Sequence, residues 1–394
     1  MATQAGIGFS KNLDPSLAAQ EAAAQARQRL GQKCIDLAIV FSTVQYAPQE
    51  ILPVIYESLD KTRVIGCSTA GIILPQGIEP RGIGIVCLRS EFIRFETSHI
   101  AHLDLQDRRE AGKSFIKNCI SDFGQQHRKL LLMFTNGLLP DISALLQGLH
   151  EQLAHSIPIV GAGSSDNFAF QKTYQYYQNS YGTNSITGVL LGGRLKFAMS
   201  CRHGWKPLGK PRIVDKVEGP VIKSIDGKKA VDIYNEYFPK EHSTLGKGLL
   251  NDINFRYPLG TYMPHEKVFL LRNALGVLDD GSILCQDSLT EKSEVHLMIP
   301  NKETCIQAAE TAAAEVKAQF EGHPPQLILV LESLLRYKLL GRQAFREMEA
   351  IQKVFDKTPI LGMYSMGEVS SFLGPRNTYN ATLQNNGIVV LGLA

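Results

Sequence analysis

Lys129 to Asn167 contains K-L-L-L-M-F-T, then P-D-I-S-A-L-L-Q-G-L-H-E-Q-L, then I-P-I-V-G-A-G-S-S-D-N. The first run is apolar without alternation, as in a strand buried on both faces of a helix-covered parallel sheet. The second is an amphipathic helix. The third is a short apolar strand that ends in glycines and small polar residues. Strand, helix and strand in that order make a right-handed crossover unit. The succession recurs upstream as D-L-A-I-V-F-S, P-Q-E-I-L-P-V-I-Y-E-S-L-D and R-V-I-G-C-S-T-A-G within Asp36 to Ile73. It recurs downstream as Q-L-I-L-V-L-E, R-Q-A-F-R-E-M-E-A-I-Q-K-V-F and T-P-I-L-G-M-Y-S-M-G-E within Gln326 to Val369.

Each unit extends in both directions. Asp14 and Pro15 sit at cap and first-turn positions of an Ala-rich helix that stops at Gly31. Matching helices are expected at Leu105 to Ser121 and Asn301 to Phe320, preceded by strands at Gly6 to Phe9, Ile93 to Ile100 and Val295 to Ile299. Alternating strands follow at Gly82 to Ser90, Tyr174 to Leu191 and Tyr379 to Leu393, the last with a hairpin-turn signal at Gln384-Asn385-Asn386-Gly387. The pattern predicts an α/β protein of repeated strand-helix-strand units with mixed parallel and antiparallel sheets, in two packed halves and with three related modules. G-W-K-P-L-G-K-P and E-Y-F-P-K-E within Cys201 to Leu275 are expected to interrupt regular structure. A boundary near Asp226 divides the chain into domains 1–225 and 226–394.

The 394 residues carry 41 Lys and Arg against 38 Asp and Glu, a formal charge of +3 without long runs of one sign. That balance gives no electrostatic reason to expect nucleic acid or an anionic membrane as partner. No apolar run approaches the roughly 18 residues of a membrane span, and M-A-T-Q-A-G-I-G-F-S does not read as a signal peptide. Seven cysteines, no two of them within four residues of each other, exclude a disulfide framework and a Cys-x-x-Cys motif. A cytoplasmic location is expected.

Ligands of open parallel sheets bind beyond the carboxyl ends of the strands. Gly66 to Gly71, Gly161 to Asn167 and Gly362 to Glu368 hold that position in the three units. Their glycines permit close backbone approach, and hydroxyls with exposed N–H groups can hold a carboxylate. The candidate ligand residues are Ser68, Thr69, Gly163, Ser164, Ser165, Asp166, Asn167, Arg336, Tyr364 and Glu368. Arg336 is expected to be accessible, since arginine seldom lies in a core. A competing reading makes Ser68 or Cys67 the nucleophile of a hydrolase or acyl transferase, with Asp166 and His203 as partners. The nucleophile elbow requires a helix directly after the serine, which Pro75 and Gly77 oppose. His203, two residues before the only tryptophan, Trp205, is the candidate haem ligand.

These same residues carry a resemblance. I-G-C-S-T-A-G at Ile65 to Gly71, I-V-G-A-G-S-S-D-N at Ile159 to Asn167 and H-G-W-K-P-L-G at His203 to Gly209 are similar to motifs of the FIST (F-box and intracellular signal transduction) family. So are I-D-G-K-K-A-V-D-I-Y at Ile225 to Tyr234, G-M-Y-S-M-G-E-V at Gly362 to Val369 and Y-N-A-T-L at Tyr379 to Leu383. Ser333 stands where the family usually has a cysteine, and Met366 where it usually has an aromatic residue. The resemblance implies N- and C-terminal FIST domains in a non-catalytic sensory protein of bacterial type. Its ligand would be an amino-acid-like metabolite or, as in the nitric-oxide-sensing subgroup, haem. Its partner would be a separate histidine kinase, as in two-component systems, or a cyclic-dinucleotide enzyme, with homo-oligomers allowed. A ligand-free interaction scaffold is the remaining alternative.

Overall fold

In a computed structural model, the structure describes residues 3–31, 34–124, 127–238, 255–264, 266–373 and 378–394. The predicted units form, and their registers coincide. Leu37–Thr43 pairs in parallel with Val64–Thr69, Arg128–Asn136 with Ile159–Ser164, and Leu327–Ser333 with Ile360–Ser365. Val40 lies opposite Gly66, Met133 opposite Gly161, and Val330 opposite Gly362. A Cβ at any of these glycines would come within 1.8, 2.1 and 2.5 Å of the facing carbonyl oxygen, so all three positions demand glycine for the same reason. On the other side of each central strand lies an antiparallel strand: Ile83–Arg89, Ile186–Gly193 or Ile388–Leu393. An outer strand completes each module: Gln4–Ser10, Ile93–Ile100 or Phe197–Arg202.

The three modules are joined by exchange of hairpins. The hairpin of the first module, Ile72–Leu74 with Gly77–Glu79, adds to the third module's sheet through Ile73 opposite Gly362. That of the second, Gln175–Tyr177 with Ser180–Gly182, adds to the first sheet with Tyr176 opposite Gly66. That of the third, Glu368–Leu373 with Tyr379–Gln384, adds to the second with Val369 opposite Gly161. The result is a closed ring of three six-stranded sheets with threefold pseudosymmetry. One continuous apolar cluster runs through its middle, from Phe41 and Ile65 through Phe134 and Val160 to Leu329 and Met363.

Helices cover the outer faces. Asp14 accepts from the Leu17 N–H at 2.8 Å, Pro15 opens Pro15–Leu30, and Gly31 closes it at φ 85°. The equivalent helices are Arg108–Ser121 and Lys302–Gln319, where Ala309, Ala312 and Ala313 form the buried stripe.

Three expectations are corrected. Glu294–Ile299 is not the leading strand of the third module; it belongs to a fourth, separate sheet whose described strands lie between Lys206 and Ile299, inserted between Phe197–Arg202 and Lys302–Gln319. G-W-K-P-L-G-K-P does not interrupt structure but lies mostly in a long strand of that sheet, Lys206–Glu218, where the register slips between Leu208 and Arg212. E-Y-F-P-K-E runs partly outside the described residues. Gln384 to Gly387 turns the chain with Asn386 at φ 58°, yet it joins strands of two different sheets and not a hairpin. The division at 225/226 falls in a turn of the inserted sheet, where Ile225 pairs with Lys228.

Candidate functional site

The three glycine loops meet where the ring closes, and there they bond to one another. The Ser68 hydroxyl donates to the Ser165 carbonyl at 3.0 Å and accepts from the Tyr174 N–H at 3.0 Å. Ser165 accepts from the Ala70 N–H at 3.0 Å and donates to the Tyr364 carbonyl at 2.5 Å. Thr69 donates to the same carbonyl at 2.8 Å and accepts from the Tyr364 N–H at 2.9 Å. The Gly163 N–H donates to the Gly367 carbonyl at 2.8 Å, and the Met366 N–H to the Gly163 carbonyl at 3.0 Å. Ser68, Thr69, Ser164, Ser165 and Tyr364 are all buried. Their hydroxyl and backbone groups thus join the modules and present no open cradle; the Tyr364 ring oxygen is the exception described below.

Asp166 and Asn167 part company. The Asp166 carboxylate accepts from the Phe170, Gln171 and Lys172 N–H groups at 2.8, 2.6 and 3.0 Å, while Asn167 is exposed. Asp166 thereby pins a loop in which Asn167, Phe168 and Phe170 have φ of 55°, 64° and 52°. Non-glycine residues at such angles persist where surroundings hold them. Phe170 stacks on Phe255 at 5.8 Å, and the Lys338 ammonium lies 5.7 Å from the Phe168 ring. The loop therefore roofs the short helix Leu334–Leu340.

Beneath that helix is the charged part of the site. Arg336 is wholly buried, contrary to the expectation from its residue type. Its guanidinium donates to Glu347 and to the His203 carbonyl, and to the Cys305 carbonyl at 2.8 Å. Glu332, near the end of the strand Leu327–Ser333 and four residues before Arg336, has an oxygen 3.7 Å from Nε. Glu368 accepts from Ser365 and from the Gly387 N–H at 3.0 Å. Three buried carboxyl groups thus surround one guanidinium. Burial, then the adjacent Glu347, pushes the Glu332 carboxyl well above the usual range. Burial also raises Glu368 to about 8. Glu332 Oε1 and Glu347 Oε2 receive no donor from elsewhere, and Arg336 Nε, the Tyr364 hydroxyl and Asn386 Oδ1 have no hydrogen-bond partner.

The sequence pattern points to Arg336, Tyr364 and Glu368 but not to Glu332 and Glu347. Both left a trace. Glu332 interrupts the apolar run L-I-L-V-L-E-S, and Glu347 shares one helix face with Ile351 and Phe355.

His203 does not fit a haem ligand. Its Nδ1 accepts from the Trp205 N–H at 2.9 Å, and its ring also bonds to the Phe269 backbone. The cavity beside Trp205 holds about 30 Å³, far below the roughly 300–1,000 Å³ of a small-molecule site. Burial and the Arg336 charge lower the imidazole to about 4. No group of three or more metal-ligating side chains occurs among the described residues.

The Ser68 hydroxyl is occupied as described, and no helix follows it: the next elements are the strands Ile72–Leu74 and Gly77–Glu79. Cys67 is buried, and burial pushes its thiol well above the ordinary range. Among the described residues no helix is long and apolar enough to cross a membrane.

The fold and site define a three-module α/β ring with an inserted β-sheet and a buried charged cluster in its third module. The chain belongs to the FIST family: the FIST N domain matches residues 36–228 and the FIST C domain residues 230–371. FIST domains are linked to sensing in signal transduction. An uncharacterized protein of Methanocaldococcus jannaschii is 26% identical over 73% of this chain, which spans 57% of that protein's length. An uncharacterized protein of Mycobacterium tuberculosis is 23% identical over 94% of this chain and 95% of its own. Among solved structures, a cyanuric acid hydrolase from A. caulinodans aligns over 100% of this chain and 99% of its own, at 9% identity and a TM-score of 0.37. A second cyanuric acid hydrolase aligns over 100% of both chains at 7% identity and a TM-score of 0.39.

Proposed function

We propose that the protein is a non-catalytic cytoplasmic sensor that takes an amino-acid-like zwitterion at Arg336 and regulates a separate signalling protein, such as a histidine kinase or a cyclic-dinucleotide enzyme. The observation that carries this reading is a set of buried polar atoms that lack a hydrogen bond, with Arg336 Nε and Glu332 Oε1 facing each other at 3.7 Å. Arg336 Nε and the Tyr364 hydroxyl are donors suited to a carboxylate, whereas Glu332, Glu347 and Asn386 offer acceptors suited to an ammonium group. Buried polar groups normally find partners, so a cluster of orphans of both signs calls for a ligand with both signs. The ammonium group is placed between Glu332 and Glu347, and its charge favours the ionised form of Glu332.

Entry requires the helix Leu334–Leu340 and its Phe168–Phe170 roof to move, because the cavity beside them is only about 30 Å³. This supplies the difference between bound and free states that a switch needs. A route outward exists through the turn at Gln384 to Gly387. Asn386 bonds to Arg336 through its carbonyl at 3.4 Å, and Asn385 donates to Gln286 of the inserted sheet at 2.8 Å. Gln286 in turn donates to the Met366 carbonyl at 2.9 Å, where the modules meet. The saturated Ser68 and the buried Cys67 favour this reading over a hydrolase.

Thermal denaturation in the presence of each of the twenty amino acids tests it. At least one is expected to raise the midpoint of the wild type and to lose that effect in Tyr364→Phe, which removes one orphan hydroxyl and keeps the ring. A wild type that responds to none of them overturns the zwitterion assignment.

A further inference from the structure

A cavity of the ring lies away from the site above, at the opposite ends of the strands, between the first and third modules. It holds about 650 Å³, within the range of roughly 300–1,000 Å³ typical of small-molecule sites. Leu30 and Phe355 are buried in its wall beside Pro325, giving it an apolar floor. Its charged lining residues are Arg29, Lys317 and Lys357 against Asp356 alone, with His323 beside them.

We infer that this cavity is a second binding site, for a small molecule with an apolar body and one anionic group. Two of the cations are held at the cavity by backbone carbonyls. Arg29 donates one N–H to the Ile7 carbonyl at 2.7 Å, and Lys317 donates to the Val354 carbonyl at 2.8 Å. A guanidinium has five N–H donors and an ammonium three, so each keeps others for a ligand. The helices Pro15–Leu30, Lys302–Gln319 and Phe345–Phe355 all end here, and free terminal carbonyls would instead favour a cation. Several of these carbonyls are already paired. The Gly31 N–H bonds to Arg27 and Gln28, the Phe320 N–H to Lys317 and Ala318, and the Asp356 N–H to Gln352. Among the lining side chains the formal charges are net positive, three cations against one carboxylate. Lys357 lies two residues beyond the end of the helix Phe345–Phe355. A ligand seated here touches both modules, whose only exchanged hairpin, Ile72–Glu79, lies at the other end of the strands. It would tie the two together where, among the described residues, no strand pairing does.

Titration of the full chain with 8-anilinonaphthalene-1-sulfonate, an apolar aromatic anion, tests the assignment by fluorescence. Saturable binding at one site is expected. The uncharged analogue N-phenyl-1-naphthylamine should bind at least tenfold more weakly. The double variant Arg29→Glu, Lys357→Glu should lose at least tenfold in affinity for the sulfonate, with an unchanged circular dichroism spectrum. Non-saturating fluorescence, equal affinity for the uncharged analogue, or undiminished affinity in the folded double variant would each overturn the proposal.

Discussion

Ser42, Thr135 and Glu332 occupy one register position in the three modules, opposite Ile83, Ile186 and Ile388 on the neighbouring strands. In the first module Ser42 shares a 2.6 Å hydrogen bond with the Tyr176 hydroxyl. In the second, Thr135 donates to the Ser185 carbonyl at 3.1 Å. Both arrangements are neutral and complete. In the third, a carboxyl group stands there, and Arg336, Glu347 and Glu368 gather round it with atoms left unpaired. Pseudosymmetry keeps the scaffold constant, so the difference isolates what the third module has been given beyond packing. Neutral hydroxyls close a ring; a charged and incompletely bonded cluster can answer a ligand.

The comparison breaks if the two kinds of site respond alike to truncation. Arg336→Ala strands the Glu347 charge in the core and should cost about 3–5 kcal/mol in urea denaturation. Ser68→Ala leaves one N–H and one carbonyl short of a partner and should cost about 1–3 kcal/mol. Equal losses would mean that the charged cluster is merely another tie between modules.

The pH dependence of stability sharpens it. Glu368 carries a proton in the folded state up to about pH 8, above the ordinary carboxyl value, so its contribution is lost as pH rises from about 4.5 to 8. His150 and His203, both lowered to about 4 by burial, act in the opposite sense. The unfolded chain takes up protons there first, so their contribution is lost as pH falls from about 6.5 to 4. His150 belongs to the second module, where its Nε2 accepts from the Ala381 N–H at 2.6 Å and its ring stacks on His155. Glu368→Gln should flatten the loss of stability between about pH 4.5 and 8, and His150→Gln the loss as pH falls from about 6.5 to 4. A Glu368→Gln profile identical to the wild type would remove Glu368 from the titrating cluster.

The repeat was legible because its signals are local. Apolar runs, Asp14 with Pro15, and glycines at strand ends state the elements without reference to distant residues. The exchange of hairpins was not, because no residue in Ile72–Glu79 says which module's sheet it will join. The insertion was missed for a related reason: Glu294–Ile299 reads like the outer strand it replaces in sequence, although Phe197–Arg202 fills that place in space. Within the site, Ser68, Ser165 and Tyr364 were found, but whether a hydroxyl faces a ligand or a neighbouring loop depends on contacts from three separate modules. Arg336 misled because its burial is compensated by Glu347, and that pairing is visible only once the helix Phe345–Phe355 is folded back.

The smallest expected effect concerns the neutral side of the comparison. Fluorophosphonate and iodoacetamide probes should label Ser68 and Cys67 in the native protein no faster than in the denatured protein, since both side chains are buried and no base bonds to either. Rapid stoichiometric labelling at either residue would restore the hydrolase reading.

Calorimetric titration at pH 7 with the amino acid that gives the largest thermal shift, on wild type, Ser68→Ala and Glu347→Gln in parallel, tests the division between modules most directly. The account predicts an unchanged Kd for folded Ser68→Ala and at least a tenfold weaker one for folded Glu347→Gln. Undiminished binding by Glu347→Gln, or a loss confined to Ser68→Ala, would contradict it.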